Sequence, residues 1–312
     1  MKHIYVLLTV LFLPCLAHGE RFEPIKYGDF NSWLTRNITE SKLLGGETKT
    51  VYEVCPAGTD NSGKAYKNRG GSPWGTSNVF AKPGGIAKAS NAVSPDNHSG
   101  NGKCAKLECK YDNCRVIGVV NIEVIVGGSL FLGEMQEPVN STKNPYSKMD
   151  MGMPFTGHPV ALRFDYKFFM PNSAQKIYSP GFGKKKTLSG ADNGETIVIL
   201  QRRWEDADGN LYAHRVGTAR ELYKKTCDWV NKHDLKIVYG SAGSSLKGLI
   251  PEKNSYYAKN SKGKMVPVKE VGWDKDGTAP THAIVMFSAS GGEPFTGTPG
   301  ITLWVDNVGW VY

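Results

Sequence analysis

Three tryptophans in this chain sit where a ring could meet a ligand rather than a core. Trp74 stands in the run Gly71-Ser72-Pro73-Trp74-Gly75-Thr76-Ser77-Asn78, whose small polar neighbours offer a large aromatic little to pack against. Trp33 lies in an opening segment, and Trp204 ends a strand-like run. Sugar rings present apolar C–H faces bounded by hydroxyls, so an exposed indole can stack on them while carboxylates, amides or guanidinium groups fix their orientation. Asn78, Arg163, Asp165, Arg203 and Glu205 are the polar residues placed to do so. The pattern predicts carbohydrate binding, with Trp74 as the leading platform. Trp304 and Trp310, six residues apart on one strand-like run, share a face by alternation and read as packing.

Other chemistries are less well supplied. An acid/base glycosidase needs two carboxylates roughly 5–10 Å apart, and Glu134, Asp165, Glu195 and Glu205 are candidates that no spacing pairs. Neither Gly240-Ser241-Ala242-Gly243 nor Ser288-Ala289-Ser290-Gly291-Gly292 completes a Gly-x-Ser-x-Gly nucleophile turn. The histidines form no His-Glu-x-x-His pair. Asp206-Ala207-Asp208-Gly209-Asn210 resembles a calcium loop only in outline, since Leu211 and Gly217 stand where such a loop needs glycine and glutamate. Its Asp-Gly pair predicts a hairpin turn instead. Cys104, Cys109 and Cys114 lack the short knuckles of a zinc site. Cys109 and Cys114 flank the turn-like Lys110-Tyr111-Asp112-Asn113 and are the one pair expected to face each other across a hairpin.

Runs rich in Val, Ile, Thr, Tyr and Phe, punctuated by Gly, Asn, Asp and Pro, must position these residues, and they predict an all-β fold of two packed sheets. Strands are expected at Thr48 to Glu53, Cys104 to Cys109, Arg115 to Val126, Ala161 to Met170, Thr196 to Trp204, Leu211 to Thr218, Leu235 to Gly240, His282 to Ser288 and Thr302 to Val311. In Arg163-Phe164-Asp165-Tyr166-Lys167-Phe168 the aromatics share the inward face and the charges the other. Helix is expected only within Asp29 to Lys42 and around Thr226 to His233. Pro56 to Lys103 reads as long loops between strands.

Residues 1–19 carry a basic start at Lys2, an apolar run from Ile4 to Leu16 and a small-residue end, the pattern of a cleavable signal peptide. Export to the periplasm, the cell surface or the medium follows, with residues 20–312 as a single domain. Pro14 before Cys15 argues against lipid anchoring there. No later run approaches the roughly twenty apolar residues of a spanning helix. The formal charge of +9 falls to +8 without Lys2, and its diffuse spread points away from nucleic acid and leaves an acidic glycan as a partner. Of the five cysteines after residue 19, at least one must be unpaired.

Several phrases along nearly all of the chain after residue 19 resemble one family. They are Gly28-Asp29-Phe30-Asn31-Ser32-Trp33, Gly71 to Asn78 as quoted above, Gly128-Ser129-Leu130-Phe131-Leu132-Gly133, Gly152-Met153-Pro154-Phe155-Thr156-Gly157-His158-Pro159, Leu162-Arg163-Phe164-Asp165-Tyr166-Lys167, Arg203-Trp204-Glu205-Asp206 and Leu303-Trp304-Val305-Asp306-Asn307-Val308. The family is the putative carbohydrate metabolism domain, exported proteins of Gram-negative gut anaerobes. The resemblance implies a jelly-roll β-sandwich and a part in glycan use, often under a glycoside hydrolase label, and brings no catalytic residues with it. The two ends also resemble those of carbohydrate-binding jelly rolls, which implies a structural calcium held by Asp306 with Asp29 or Glu23. The sequence therefore predicts an exported carbohydrate-binding protein, with a glycoside hydrolase or a surface adhesin as the alternatives.

Overall fold

The computed structural model describes residues 19–68, 71–116, 120–141, 143–172, 175–181, 183–246 and 256–312. The expected signal peptide, but for Gly19, and Cys15 lie outside them. The described chain is nearly all β, as its β-branched and aromatic runs dictate.

Two large sheets face each other. The smaller has the order Pro180–Gly181, Val120–Gly127, Gly102–Val116, Thr302–Val311, Ala161–Phe169, Cys227–Lys236, with Phe22–Pro24 and Val93–His98 added beside it. Leu107, Leu162, Phe164, Phe168, Leu303 and Val305 from this sheet meet Leu130, Val198, Leu200, Val216, Val285 and Phe287 from the larger one in a single buried core. Phe164 and Phe168 thus face inward as their alternation demands.

The larger sheet pairs back on itself. From Ser129–Met135 the pairing passes to His282–Ser288, Gly194–Glu205, Leu211–Tyr223, Met265–Trp273, Tyr256–Lys259 and Met149–Met151, then returns to Ser129–Met135. This closed ring of seven strands has its own apolar filling of Phe131, Met135, Met149, Met151, Ile197, Ile199, Tyr256 and Ile284. Gly194–Glu205 therefore sends Val198 and Leu200 to the inter-sheet core, and Ile197 and Ile199 into the ring.

Several expected elements take another form. Asp29 to Lys42 contains the strand Trp33–Thr39, with a 3-10 turn only from Lys42 to Leu44, and all of Thr226 to His233 but Thr226 itself falls within the strand Cys227–Lys236. Cys227–Lys236 pairs on one side only, with two register shifts, and its exposed polar face mimics a helical pattern. Lys110 to Asn113 is not a turn: Cys109 and Cys114 lie on one continuous strand, opposite Gly127 and Ile122. Five residues of strand separate them by about 16 Å, far beyond the reach of a disulfide, and Cys109 is a buried free thiol. Within Pro56 to Lys103 the chain forms short strands at Gly58–Asp60, Trp74–Thr76, Val79–Ala81, Lys88–Ser90 and Val93–His98.

Trp74 is the largest departure. It is 2 % exposed, its ring 5.4 Å from that of Phe30 and its indole N–H donating to the Lys26 carbonyl at 3.0 Å. The glycine beside it reflects close packing rather than a loop, because a Cβ on Gly75 would lie 2.8 Å from the Phe131 ring and 2.9 Å from the Gly133 carbonyl. A buried ring offers no stacking surface. Trp74→Ala should therefore lower unfolding free energy by about 3–5 kcal/mol in urea titrations, the signature of a core residue.

Candidate functional site

A cleft of about 1160 Å³ opens at one end of the strand ring, between it and the segments that run through Val79, Val139 to Ser141, Lys143 to Tyr146 and Ser290 to Thr296. Its floor is apolar, made by Met149, Met151, Ile197 and Met286. Alternation places Glu195 on the same face as Ile197, and the register sets it opposite Ser288.

Glu195 is buried, and its Oε1 accepts a hydrogen bond from Arg220 Nε at 2.5 Å. Burial pushes its carboxyl above the usual range, Arg220 pulls it down, and nearby Asp192 adds to the rise. Asp192 is itself held, its Oδ2 accepting from Ser290 Oγ at 2.5 Å and its Oδ1 lying 3.4 Å from Lys176 Nζ. Tyr146 lines the cleft with 38 % of its surface exposed. Burial, then Glu293 and Glu195, push its ionisation up to about 12. Beside it, Asn144 Nδ2 donates to the Tyr257 hydroxyl at 2.7 Å.

Deeper in the same ring lies a buried polar network. Glu270 Oε1 accepts from Gln201 Nε2 and Arg215 Nε, each at 2.7 Å, and Oε2 accepts from Arg215 Nη2. Arg203 donates to Gln201 Oε1 at 2.7 Å and to the Met151 carbonyl at 2.9 Å. Burial pulls its guanidinium down to about 10.

The residues singled out in the sequence scatter over several places. Trp33 is buried, its indole N–H donating to the Phe30 carbonyl at 2.6 Å. Asn78 is also buried: Nδ2 donates to the Tyr52 and Val93 carbonyls and Oδ1 accepts from the Ala92 and Val93 amides, so no atom remains for a ligand. Arg163 is tied to Asp234 at 2.6 Å and to Glu20 on the smaller sheet. Trp204 alone of the three platforms stays exposed, at 38 %. Arg203 and Glu205 flank it in sequence and so point to the opposite face of its strand, Glu205 accepting from Ser261 Oγ at 2.7 Å.

Asp165 and Asp306 are directly opposed across adjacent strands and are both buried. His98 Nδ1 lies 2.7 Å from Asp306 Oδ2, and the Trp229 ring stacks on His98 at 3.7 Å. Asp165 accepts from the Lys232 amide at 2.6 Å and from Asn307 Nδ2 at 2.8 Å. Asp29 and Glu23 are exposed elsewhere, Asp29 bonded to Asn31 and Glu23 beside Arg21. Calcium needs six to eight oxygens; Asp306 meets an imidazole and one carboxylate, all with hydrogen-bond partners, so the expected calcium set does not fit. His98 carries no sequence signal, because 208 residues separate it from Asp306.

A family model matches residues 47–249, about two thirds of the chain. The chain belongs to the putative carbohydrate metabolism domain family. No curated protein matches it. Among solved structures it is similar to a putative glycoside hydrolase from Bacteroides thetaiotaomicron, with 18 % identity over 86 % of this chain and 76 % of that one, at a TM-score of 0.46. The resemblance read from Gly71 to Asn78 and its companion phrases is thereby borne out as membership of the putative carbohydrate metabolism domain family.

Asp306 gives a pH signature. Burial outweighs the His98 bond and raises its carboxyl to about 6, so the fold favours the protonated form. That contribution is full below the usual carboxylate value and is lost as pH rises through about 6. Urea midpoints should fall by the equivalent of about 1–3 kcal/mol between pH 4 and 7, and Asp306→Asn should flatten this slope.

Proposed function

We propose that this protein binds carbohydrate in the cleft at the mouth of its strand ring, as an exported member of its family. The amphipathic lining carries the reading: an apolar floor of Met149, Ile197 and Met286, the exposed Tyr146, and the Glu195–Arg220 pair with Ser288 and Ser290 at the polar end. This combination suits a ring with apolar C–H faces and a hydroxyl edge. The volume stands at or above the ~300–1,000 Å³ of ordinary small-molecule sites, room for more than one sugar ring. Family membership supports a carbohydrate-related role, and the basic-apolar-small pattern of residues 1–19 supports export.

A glycoside hydrolase is the second reading, favoured by one observation: the carboxylates Glu195 and Glu293 both line the one cleft. Against it, although burial raises the Glu195 carboxyl, its Oε1 is already engaged by Arg220 Nε at 2.5 Å, whereas a general acid or base must be free to meet the glycosidic oxygen or the water. Binding is therefore the reading preferred.

A glycan array followed by calorimetry of the purified protein checks both. Saturable binding should weaken roughly tenfold or more in Glu195→Gln, which breaks a charged hydrogen bond, and also weaken in Tyr146→Ala. Release of sugars that stops in Glu195→Gln would establish the hydrolase instead, and binding indifferent to both variants would remove the cleft from consideration.

A further inference from the structure

The hairpin of Gly194–Glu205 and Leu211–Tyr223, which sends Glu195 and Arg220 to the cleft, carries a second surface at its other end and on its other face. Val198 and Leu200 point into the inter-sheet core, and alternation continues that face through Arg202 to Trp204, where it is exposed. The register sets Trp204 opposite Tyr212 and Arg202 opposite His214, and the parallel strand beyond sets Lys269 next to Tyr212. Three strands thus present one row of Trp204, Tyr212 and Lys269, and behind it Arg202 and His214.

The indole is held but not covered. Tyr212 lies nearly parallel to it, with centroids 5.9 Å apart and planes at 18°, while His214 stands perpendicular at 5.1 Å. The polar residues are fixed as well. Arg202 grips Asp274 with two bonds of 2.7 and 3.0 Å, and His214 Nδ1 lies 3.1 Å from the same carboxylate. Holding these side chains in advance removes much of the ordering cost of binding. Trp33 and Trp74 are sealed, whereas this one leaves over a third of its surface to solvent.

Charge sets the ligand class. Arg202 lies 5.8 Å from the Trp204 ring centre and Lys269 lies 5.3 Å from that of Tyr212. Lys269 is exposed and has no carboxylate partner among the described residues. It ends the aromatic row with an uncompensated cation.

We propose that this surface is a second carbohydrate site, for a glycan bearing anionic groups. Trp204 stacks on a sugar C–H face, Arg202 and Asp274 meet its hydroxyls, and Lys269 meets the carboxylate or sulfate. The site shares its ligand class with the cleft and none of its residues, so each can fail without the other.

The test titrates the purified protein with polygalacturonate, chondroitin sulfate and neutral dextran. Trp204→Ala, Lys269→Gln and the cleft variant Tyr146→Ala are compared, with Lys184→Gln as a control that removes one exposed charge elsewhere. Polyanion affinity should fall tenfold or more in Trp204→Ala, as for a central aromatic contact, and about two- to fivefold in Lys269→Gln. It should hold in Lys184→Gln; Tyr146→Ala reports any share of the polymer taken up by the cleft, and near-ultraviolet dichroism confirms that each variant is folded. Polygalacturonate and chondroitin sulfate separate a carboxylate from a sulfate preference. Dextran bound as tightly as the polyanions, equal losses in the two lysine variants, undiminished binding in Trp204→Ala or no binding to any polymer would each overturn the proposal. Loss in Tyr146→Ala alone would do so while leaving the cleft reading intact.

Discussion

The strand Gly194–Glu205 is buried on both faces over its first eight residues, because one face fills the core between the sheets and the other fills the ring. A strand in that position obeys period-two alternation without exception, since a slip of one residue would exchange the two fillings. Its partner strand accommodates the arrangement with a bulge: Leu200 pairs with Gly217 and Gln201 with Arg215, leaving Val216 free to enter the inter-sheet core. That single extra residue turns Arg215 toward Gln201 and Glu270. Glu270 in turn belongs to Met265–Trp273, so a buried ion pair joins the two parallel strands that help close the ring. Such a pair adds little net stability against an apolar replacement; its use here is to define which strands meet.

A second buried cation organises the cover of the cleft. Arg36 is 1 % exposed and lies between two carboxylates, with Nη1 2.6 Å from Glu53 and Nη2 2.6 Å from Glu137. Glu137 also accepts from the backbone amides of Tyr66 and Phe80, at 2.6 and 2.7 Å. One carboxylate thus joins the Trp33–Thr39 strand to the short Val79–Ala81 strand at the cleft's edge. With every oxygen engaged, the cover is held by directional bonds where its own apolar surface is small.

Strands with strong alternation were legible: His282–Ser288 and Thr302–Val311 lie where the residue pattern puts them, and Asp206 to Asn210 turns the hairpin that its Asp-Gly pair requires. The losses have physical causes. Asn307 at φ +51° and the register shift between Arg163 and Asp165 reverse the alternation within the last strand. Trp304 and Trp310 therefore part, one half-exposed with its indole N–H donating to Asp96 and the other in the core. Small residues around Trp74 signalled a loop where they serve close packing. Glu195 was visible as a carboxylate, but its setting depends on strands that the chain brings together from Ser129, Met149, Tyr256 and His282 onward. Tyr212, Arg202 and Lys269 become neighbours of Trp204 only through pairing register, which residue type does not encode.

The thiols have a consequence of their own. Cys55, Cys104 and Cys109 are buried and unbridged, and burial pushes Cys104 and Cys109 up to about 12, where they are protonated and unreactive. Among the described thiols, Cys55, Cys104, Cys109 and Cys227 form no cross-link. Of these four thiols, a reagent added to the folded protein would meet the partly exposed Cys227 first. Modification of Cys109, which lies in the inter-sheet core, would time the opening of that core, a built-in clock for the motion that separates the two sheets.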